Sequence, residues 1–375
     1  MGSGAPQVLA GADLQPETFG SLPGWAGDDH TAAYAAFRRS AFRAREKPYR
    51  TGLLGIEAAA FGPAFEGARA VSDPSPAGAR AFFETHFRPF RVRPHEAGAG
   101  FVTGFYEPVA HASPVRTARF TVPLYRRPDD LVDLDDVNRP AGMDAGFAFG
   151  RRVDGRIGEY PDRAAIERGA LAGRGLELAW LADKVDVFFI HVQGAARLVM
   201  PDGAVRRVTY AAKTGHPFTG AGRVLVDRGE LAAADVTMQS IRAWFRAHPD
   251  RVDEILWRNR SFIFFREAAV DDPALGPVAA AKVPLTPGRS VAVDRLIHTF
   301  GTPFYVVAPT LTAFGDDGGF ARLMIAQDTG SAIVGPARGD LFAGSGDAAG
   351  EIAGVVRDAA DFHILVPAGL AGRFA

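Results

Sequence analysis

The spacing of apolar residues is helical near the start of the chain and strand-like from about Phe101 onward. Tyr34, Phe37, Ala41 and Ala44 recur near helical intervals with arginines on the opposite face, and Asp28 or Asp29 is placed to cap that run. A second short helix is expected over residues 77–87, with Phe82, Phe83 and Phe87 turned inward and Pro89 ending it. Further on, Val185, Val187 and Phe189 alternate with Asp186, Phe188 and Ile190. Both sets are largely apolar, which predicts a strand buried on two sides. Pro201-Asp202-Gly203 reads as a hairpin turn flanked by residues 197–200 and 205–208. A helical pair follows, in which Asp235 caps a run containing Val236, Met238, Ile241, Trp244 and Phe245, and Pro249 opens a second with Val252, Ile255 and Leu256, closed by Asn259. Residues 261–265, 290–293, 304–307, 322–326 and 362–366 read as short strands, and the linker-like stretch 271–277 marks a boundary.

Composition narrows the class. A chain of 375 residues with 47% hydrophobic content supports one large or two medium domains with real cores. Its 43 glycines and 26 prolines are spread along the chain, which suits many short strands. With 42 basic and 43 acidic side chains the net charge is −1, so the chain lacks the electrostatic footprint of a nucleic-acid binder. The absence of cysteine removes disulfides, thiolate nucleophiles and cysteine-ligated metal sites. No stretch approaches the roughly 18–20 uninterrupted apolar residues of a spanning helix, and the opening residues lack an export-signal pattern, so a signal is expected to be absent or removed.

Candidate chemistry lies in carboxylates. The sequence has no P-loop, no H-E-x-x-H pair and no G-x-S-x-G elbow, and its nine histidines are scattered. His191, within an apolar run, reads as a hydrogen-bonded core residue. Asp294, Asp328 and Asp340 each fall at a strand end or tight turn, where partial desolvation raises a carboxyl pKa and suits general-acid work. The competing reading is that aspartates before glycines cap turns.

The segments Ser290-Val-Ala-Val-Asp294, Gly301-Thr-Pro-Phe-Tyr305, Ala326-Gln-Asp328-Thr-Gly and Arg338-Gly-Asp340-Leu-Phe-Ala-Gly344 resemble the three-aspartate (3D) domain of bacterial cell-wall enzymes. Together with Phe19-Gly-Ser-Leu-Pro-Gly-Trp25, Val102-Thr-Gly-Phe-Tyr-Glu-Pro108, Phe188-Phe-Ile-His-Val-Gln193-Gly194, Tyr210-Ala-Ala-Lys213-Thr-Gly215 and Gly222-Arg-Val-Leu-Val-Asp-Arg-Gly229, they make the chain similar to the membrane-bound lytic murein transglycosylase A (MltA) family from about residue 19 to the C-terminus. It differs from the usual pattern at Ala195 and Thr214, where serine and asparagine are common.

The resemblance implies a mainly β protein with a few helices, in which a double-psi β-barrel built from residues 1–108 and 272–375 is interrupted by a second β-domain at 109–271. A glycan groove is expected between the two, and the 3D domain at about 285–370. The implied activity is cleavage of the β-1,4 bond between N-acetylmuramic acid and N-acetylglucosamine in peptidoglycan, leaving 1,6-anhydro ends. The third aspartate, Asp340, is the implied acid and base; Asp328 lies nearby, and Asp294 is structural. Implied substrate contacts are Thr103, Gly104, Phe105, Tyr106, Gln193, Gly194 and Lys213, which offer hydrogen bonds, ring faces, close backbone approach and a point charge. No cofactor and no metal are implied. Peptidoglycan strands are the expected partner, with cell-wall machinery proteins as further candidates and the monomer as the expected state. The place of action would be the periplasm or outer membrane. Two other readings stand beside it: a peptidoglycan hydrolase using Asp340 and Asp328, and a glycan-binding protein without turnover.

Overall fold

The computed structural model describes residues 11–96, 98, 100–315 and 318–375. It divides into two compact units, one formed by the chain up to Tyr106 together with Asp272–Ala375, the other by Glu107–Asp271.

In the first unit, strands β1 (Ala12–Pro16), β2 (Phe87–Pro94) and β3 (Gly100–Glu107) precede the insertion. The insertion contributes β4 (Val109–Ser113), β5 (Val122–Tyr125), β6 (Leu131–Asp133), β7 (Phe149–Val153), β8 (Arg156–Gly158), β9 (Glu177–Leu181), β10 (Ala195–Val199), β11 (Val205–Lys213) and β12 (Ile263–Ala268). After it come β13 (Ser290–Val293), β14 (Pro303–Ala308), β15 (Phe320–Asp328), β16 (Arg338–Ser345) and β17 (Arg357–Pro367). The first unit's strands form a sheet in the order β1-β2-β17-β14-β15-β13-β16-β3. Because β3 also pairs with β17, the run from β17 through β14, β15, β13 and β16 to β3 closes on itself. Closure removes free edges from that part of the sheet.

Three helices, α1 (His30–Glu46), α2 (Gly62–Ala70) and α3 (Pro76–His86), pack on this sheet. Asp29 rather than Asp28 caps α1, its Oδ1 accepting from the Ala32 amide at 3.1 Å. Asp28 instead pairs with Arg289 at 2.8 Å and accepts from the Leu323 amide at 2.8 Å. The Phe37, Phe65, Phe83 and Phe87 rings cluster beneath the helices. The chain leaves α3 at His86, and Pro89, expected to end the helix, lies inside β2.

The inserted unit holds a sheet ordered β12-β11-β10-β4-β9-β5 and a smaller one ordered β6-β7-β8. A bridge between Arg126 and Phe265 brings the larger sheet's edges together. The hairpin at Pro201–Gly203 is present between β10 and β11. The segment expected to be a strand at Val185–Ile190 is a helix. After a single turn α4 (Arg163–Ala165), helix α5 runs from Lys184 to Gln193, with Asp183 capping the Val185 amide at 2.7 Å and Gly194 ending it at φ 76°. Val187 and Ile190 face the sheet core, while Val185, Phe188 and Phe189 join Leu225, Trp244 and Phe245 of a helical layer. A helix buried on two faces loses the one-sided periodicity that identifies helices in sequence.

That helical layer comprises α6 (Ala221–Asp227), α7 (Met238–Ala247) and α8 (Val252–Leu256). Thr237, not Asp235, caps α7, in a reciprocal capping box with Ser240. The strand expected from Ser261 begins at Ile263. Strand β16 and helix α9 (Asp347–Val355) were not anticipated as elements, and β16 carries Asp340.

His191 is buried on α5, where its Nδ1 lies 3.1 Å from an Arg163 guanidinium nitrogen, and burial holds its pKa well below the ordinary value. Among the described residues no helix is long and apolar enough to cross a membrane.

Candidate active site

Four adjacent strands, β15, β13, β16 and β3, align the polar side chains of the first unit. Ala292 of β13 is opposite Asp328 on one side and Asp340 on the other. The β13–β15 register shifts between Val291 and Ala292, so that Ala292 meets Asp328 instead of Gln327. Such an irregularity re-aims a side chain beside a functional site. Gln327 turns inward, where Ser290 Oγ donates to its Oε1 at 2.6 Å and its Nε2 donates to Ala36 O at 2.8 Å and Ser40 Oγ at 2.9 Å. With both ends of its amide satisfied, Gln327 ties β15 to α1 and fixes the backbone from which Asp328 projects.

Asp340 occupies the interior of β16, not a strand end. Arg338, Gly339 and Asp340 alternate sides as strand residues must. A Cβ on Gly339 would come within 2.9 Å of the Phe362 ring and 3.1 Å of Val291, so this position has no room for a side chain. Asp340 and Arg338 share the other face. Thr103 Oγ1 donates to Asp340 Oδ1 at 2.5 Å, and Arg338 Nη2 donates to that same Thr103 oxygen at 2.7 Å. Arg338 also lies 5.4 Å from the centre of the Phe101 ring, on the strand that carries Thr103.

Both carboxyls keep some accessible surface but are crowded by protein, including an apolar cluster of Phe105, Leu285, Ala292, Ile333 and Phe342. Burial pushes the Asp328 pKa up to about 6, and the neighbouring Asp340 charge adds to the rise. The Thr329 and Ala280 amides and the Lys282 charge oppose it, with Ala280 N at 3.2 Å from Asp328 Oδ1. Burial also raises Asp340, opposed by the Thr103 hydrogen bond and the Arg338 charge. A carboxyl with raised proton affinity can deliver a proton near neutral pH and take one back afterwards.

The four site residues expected on β3 divide by alternation. Thr103 reaches Asp340, and Phe105 packs on Phe342 with ring centres 5.2 Å apart. Gly104 and Tyr106 meet α9 instead: a Cβ on Gly104 would lie 2.8 Å from Ala353 Cα, and the Tyr106 ring covers Gly350. The Phe105 and Tyr106 rings are both buried, so each is occupied by packing in this state.

Gln193, Gly194 and Lys213 belong to the inserted unit. Gln193 ends α5, and the Gly194 amide bonds Ile190 O at 2.9 Å as the helix cap. Lys213 ends β11 opposite Ile263, and the Tyr210 amide of the same strand reaches Gly194 O at 2.7 Å. Asp294 joins two turns: its Oδ1 accepts from the Leu296 amide and its Oδ2 from the Gly335 amide, both at 3.0 Å. Two residues of the site had no role assigned from sequence, Arg338 and Gln327. The available signal for Arg338 was its i, i+2 spacing from Asp340, which places both on one strand face. Among the described residues no group of three or more His, Asp or Glu side chains gathers in a way that could hold a metal ion.

Residues 101–266 match the model of the MltA specific insert domain, and residues 289–366 match that of the 3D domain, which spans all three aspartates. A crystal structure of a membrane-bound lytic murein transglycosylase from Agrobacterium tumefaciens is 54% identical, covers 97% of this chain and 100% of its own, and superposes with a TM-score of 0.91. This chain belongs to the MltA family. Outside that structure, the membrane-bound lytic murein transglycosylase A of Escherichia coli K12 is 35% identical over 257 residues, a match spanning 67% of this MltA-family chain and 61% of the relative. A structure of E. coli MltA with bound chitohexaose is 28% identical, covers 96% of this chain and 95% of its own, and has a TM-score of 0.67. The mainly β architecture with several helices is thus that of MltA structures.

Proposed function

We propose that this protein is a lytic transglycosylase that cuts the β-1,4 bond between N-acetylmuramic acid and N-acetylglucosamine in peptidoglycan, with Asp340 as its single acid and base. Protonated Asp340 donates to the glycosidic oxygen as the C1–O bond breaks. The resulting carboxylate accepts the proton of the muramyl C6 hydroxyl, whose oxygen bonds to C1 and closes the 1,6-anhydro ring. No water enters the product. The observation that carries the reading is the placement of Asp340 on β16 with raised proton affinity, one oxygen held by Thr103. The bound chitohexaose of the E. coli relative supports a β-1,4-linked glycan as ligand.

Asp328 assists by field and hydrogen bonding, and Asp294 holds the flanking turns. Gln193, Gly194 and Lys213 are glycan contacts carried by the inserted unit in this reading, with Lys213 suited to a lactyl or peptide carboxylate. A double-psi barrel, a glycan groove alongside Thr103–Tyr106, action in the periplasm or at the outer membrane, and a domain division near 108 and 272 belong to the same reading. The relatives' names, which call them membrane-bound, favour the envelope.

One observation favours a second reading, hydrolysis with two carboxyls. Asp328 and Asp340 flank Ala292, near enough for the Asp340 charge to raise the Asp328 pKa, and a hydrolase needs a second carboxyl beside the acid to serve as base or nucleophile. Mass spectrometry of products released from insoluble sacculi separates the two. Transglycosylation gives muropeptides one water lighter than hydrolytic ones, absent with Asp340→Asn; hydrated reducing ends lost equally with Asp328→Asn would establish the hydrolase.

A further inference from the structure

Arg338 stands two residues before Asp340 on the same face of β16, yet it hydrogen-bonds the Thr103 hydroxyl and, through the other terminal guanidinium nitrogen, Gly339 O. A threonine hydroxyl has one proton to give and two lone pairs to offer. With Arg338 Nη2 occupying a lone pair at 2.7 Å, the hydroxyl is polarised and its proton is directed to Asp340 Oδ1 at 2.5 Å. An oxygen that accepts this bond is the poorer place for the carboxyl's own proton. We propose that Arg338 is a positioning residue that acts on Asp340 through Thr103 and makes Oδ2 the oxygen that carries the transferable proton.

This role deepens the transglycosylase reading and rests on it for its catalytic meaning. The single acid and base must first donate, then stand ionised while the C6 hydroxyl approaches. A cation one hydroxyl away stabilises that carboxylate without replacing the hydrogen bond that orients it. A guanidinium in direct contact with both carboxyl oxygens would hold the group ionised and unable to donate. The groups facing Asp340 are Arg338 on its own strand, Thr103 on β3 and Asp328 on β15, with the Lys282 charge acting on Asp328.

The test compares wild type, Arg338→Met, Thr103→Val and the double variant on soluble glycan strands, with kcat and KM measured across pH. Arg338→Met is expected to lower kcat about 10- to 100-fold, as misorientation of a reacting group does, with KM within about twofold. The alkaline limb of its kcat profile should move to higher pH. Adding Arg338→Met to Thr103→Val should cost less than about twofold more, because the threonine is the link. In parallel, carboxyl-carbon NMR titration reads Asp340 directly, its signal assigned by loss in Asp340→Asn, and the midpoint should rise in Arg338→Met. If Arg338→Met fails to fold, Thr103→Val interrupts the same chain from its other end.

Unchanged kcat and pH profile in Arg338→Met, or its full cost persisting in the Thr103→Val background, overturns the proposal. Products carrying added water would overturn the transglycosylase reading alone, since the carboxyl titration still decides whether Arg338 acts on Asp340.

Discussion

Glu107 and Asp340 are both shielded carboxylates within reach of arginine side chains, one in each unit, and they are held in different ways. Glu107 is fully buried and meets two guanidinium groups directly: Arg197 Nε at 2.7 Å, and Arg207 through Nε at 2.6 Å and Nη2 at 3.1 Å. Asp340 keeps a hydroxyl between itself and its arginine. Direct, multiply bonded pairing engages both oxygens of a buried carboxylate and makes it a structural clamp. Separation by one hydroxyl leaves burial free to raise proton affinity, which chemistry needs and stability does not.

The contrast can be broken at either carboxylate, and the largest effect is expected at Asp340. Asp340→Asn keeps the size of the side chain but cannot donate and recover a proton, so turnover should fall on the order of 10²–10⁴-fold or more. Sacculus binding in a sedimentation assay should stay within a few-fold of wild type, as should the unfolding midpoint. Glu107→Ala inverts the pattern. It leaves the buried Arg207 and the partly buried Arg197 without the Glu107 carboxylate and should destabilise by about 3–5 kcal/mol in denaturant unfolding. An unfolding midpoint equal to wild type would remove the clamp assignment.

A smaller effect probes the backbone between Arg338 and Asp340. Gly339→Ala pushes a methyl against Phe362 and Val291, and overpacking of this kind costs about 1–3 kcal/mol. A matching loss of activity at temperatures where the variant remains folded would mean that β16 has shifted and carried Asp340 with it.

The smallest effect has a sign that depends on pH. Asp328 has its pKa raised to about 6, so between about pH 4 and pH 6 the folded state binds more protons than the unfolded state. Its contribution to stability therefore falls as pH rises through that window. Asp328→Asn should raise stability on the order of 1–2 kcal/mol at pH 7–8, after allowance for partial exposure, and leave it unchanged near pH 4. Thermal unfolding at the two pH values checks this, and equal changes at both would show that the carboxyl's ionisation is not the cause.

The sequence made α1 visible because it has one buried face, a capping aspartate and arginines outside. It concealed α5, whose residues between Val185 and Ile190 are divided between a sheet on one side and a helical layer on the other. The boundary signals were present, Asp183 at the start and Gly194 at the end, and they outweigh periodicity when an apolar run has no polar face. Strand β16 was hidden for another reason: Gly339 and Gly344 depress strand propensity, and only the fold reveals what Gly339 accommodates. The same applies to Gly104 and Gly194. Their backbone freedom could be expected from sequence, but not that α9 crowds one and helix capping requires the other. Asp328 and Asp340 could be nominated from residue type and motif. Their alignment across Ala292 depends on a register shift that no local pattern encodes.

Isotope incorporation distinguishes the sugar's own C6 oxygen from water as the group that captures C1. Sacculi digested by the wild-type protein in ¹⁸O-labelled water should release anhydro muropeptides that contain no ¹⁸O, since the C6 oxygen of the sugar itself captures C1. Muropeptides with ¹⁸O at the newly formed C1 end would contradict the account, because water would then be the nucleophile and a second carboxyl would be needed to activate it.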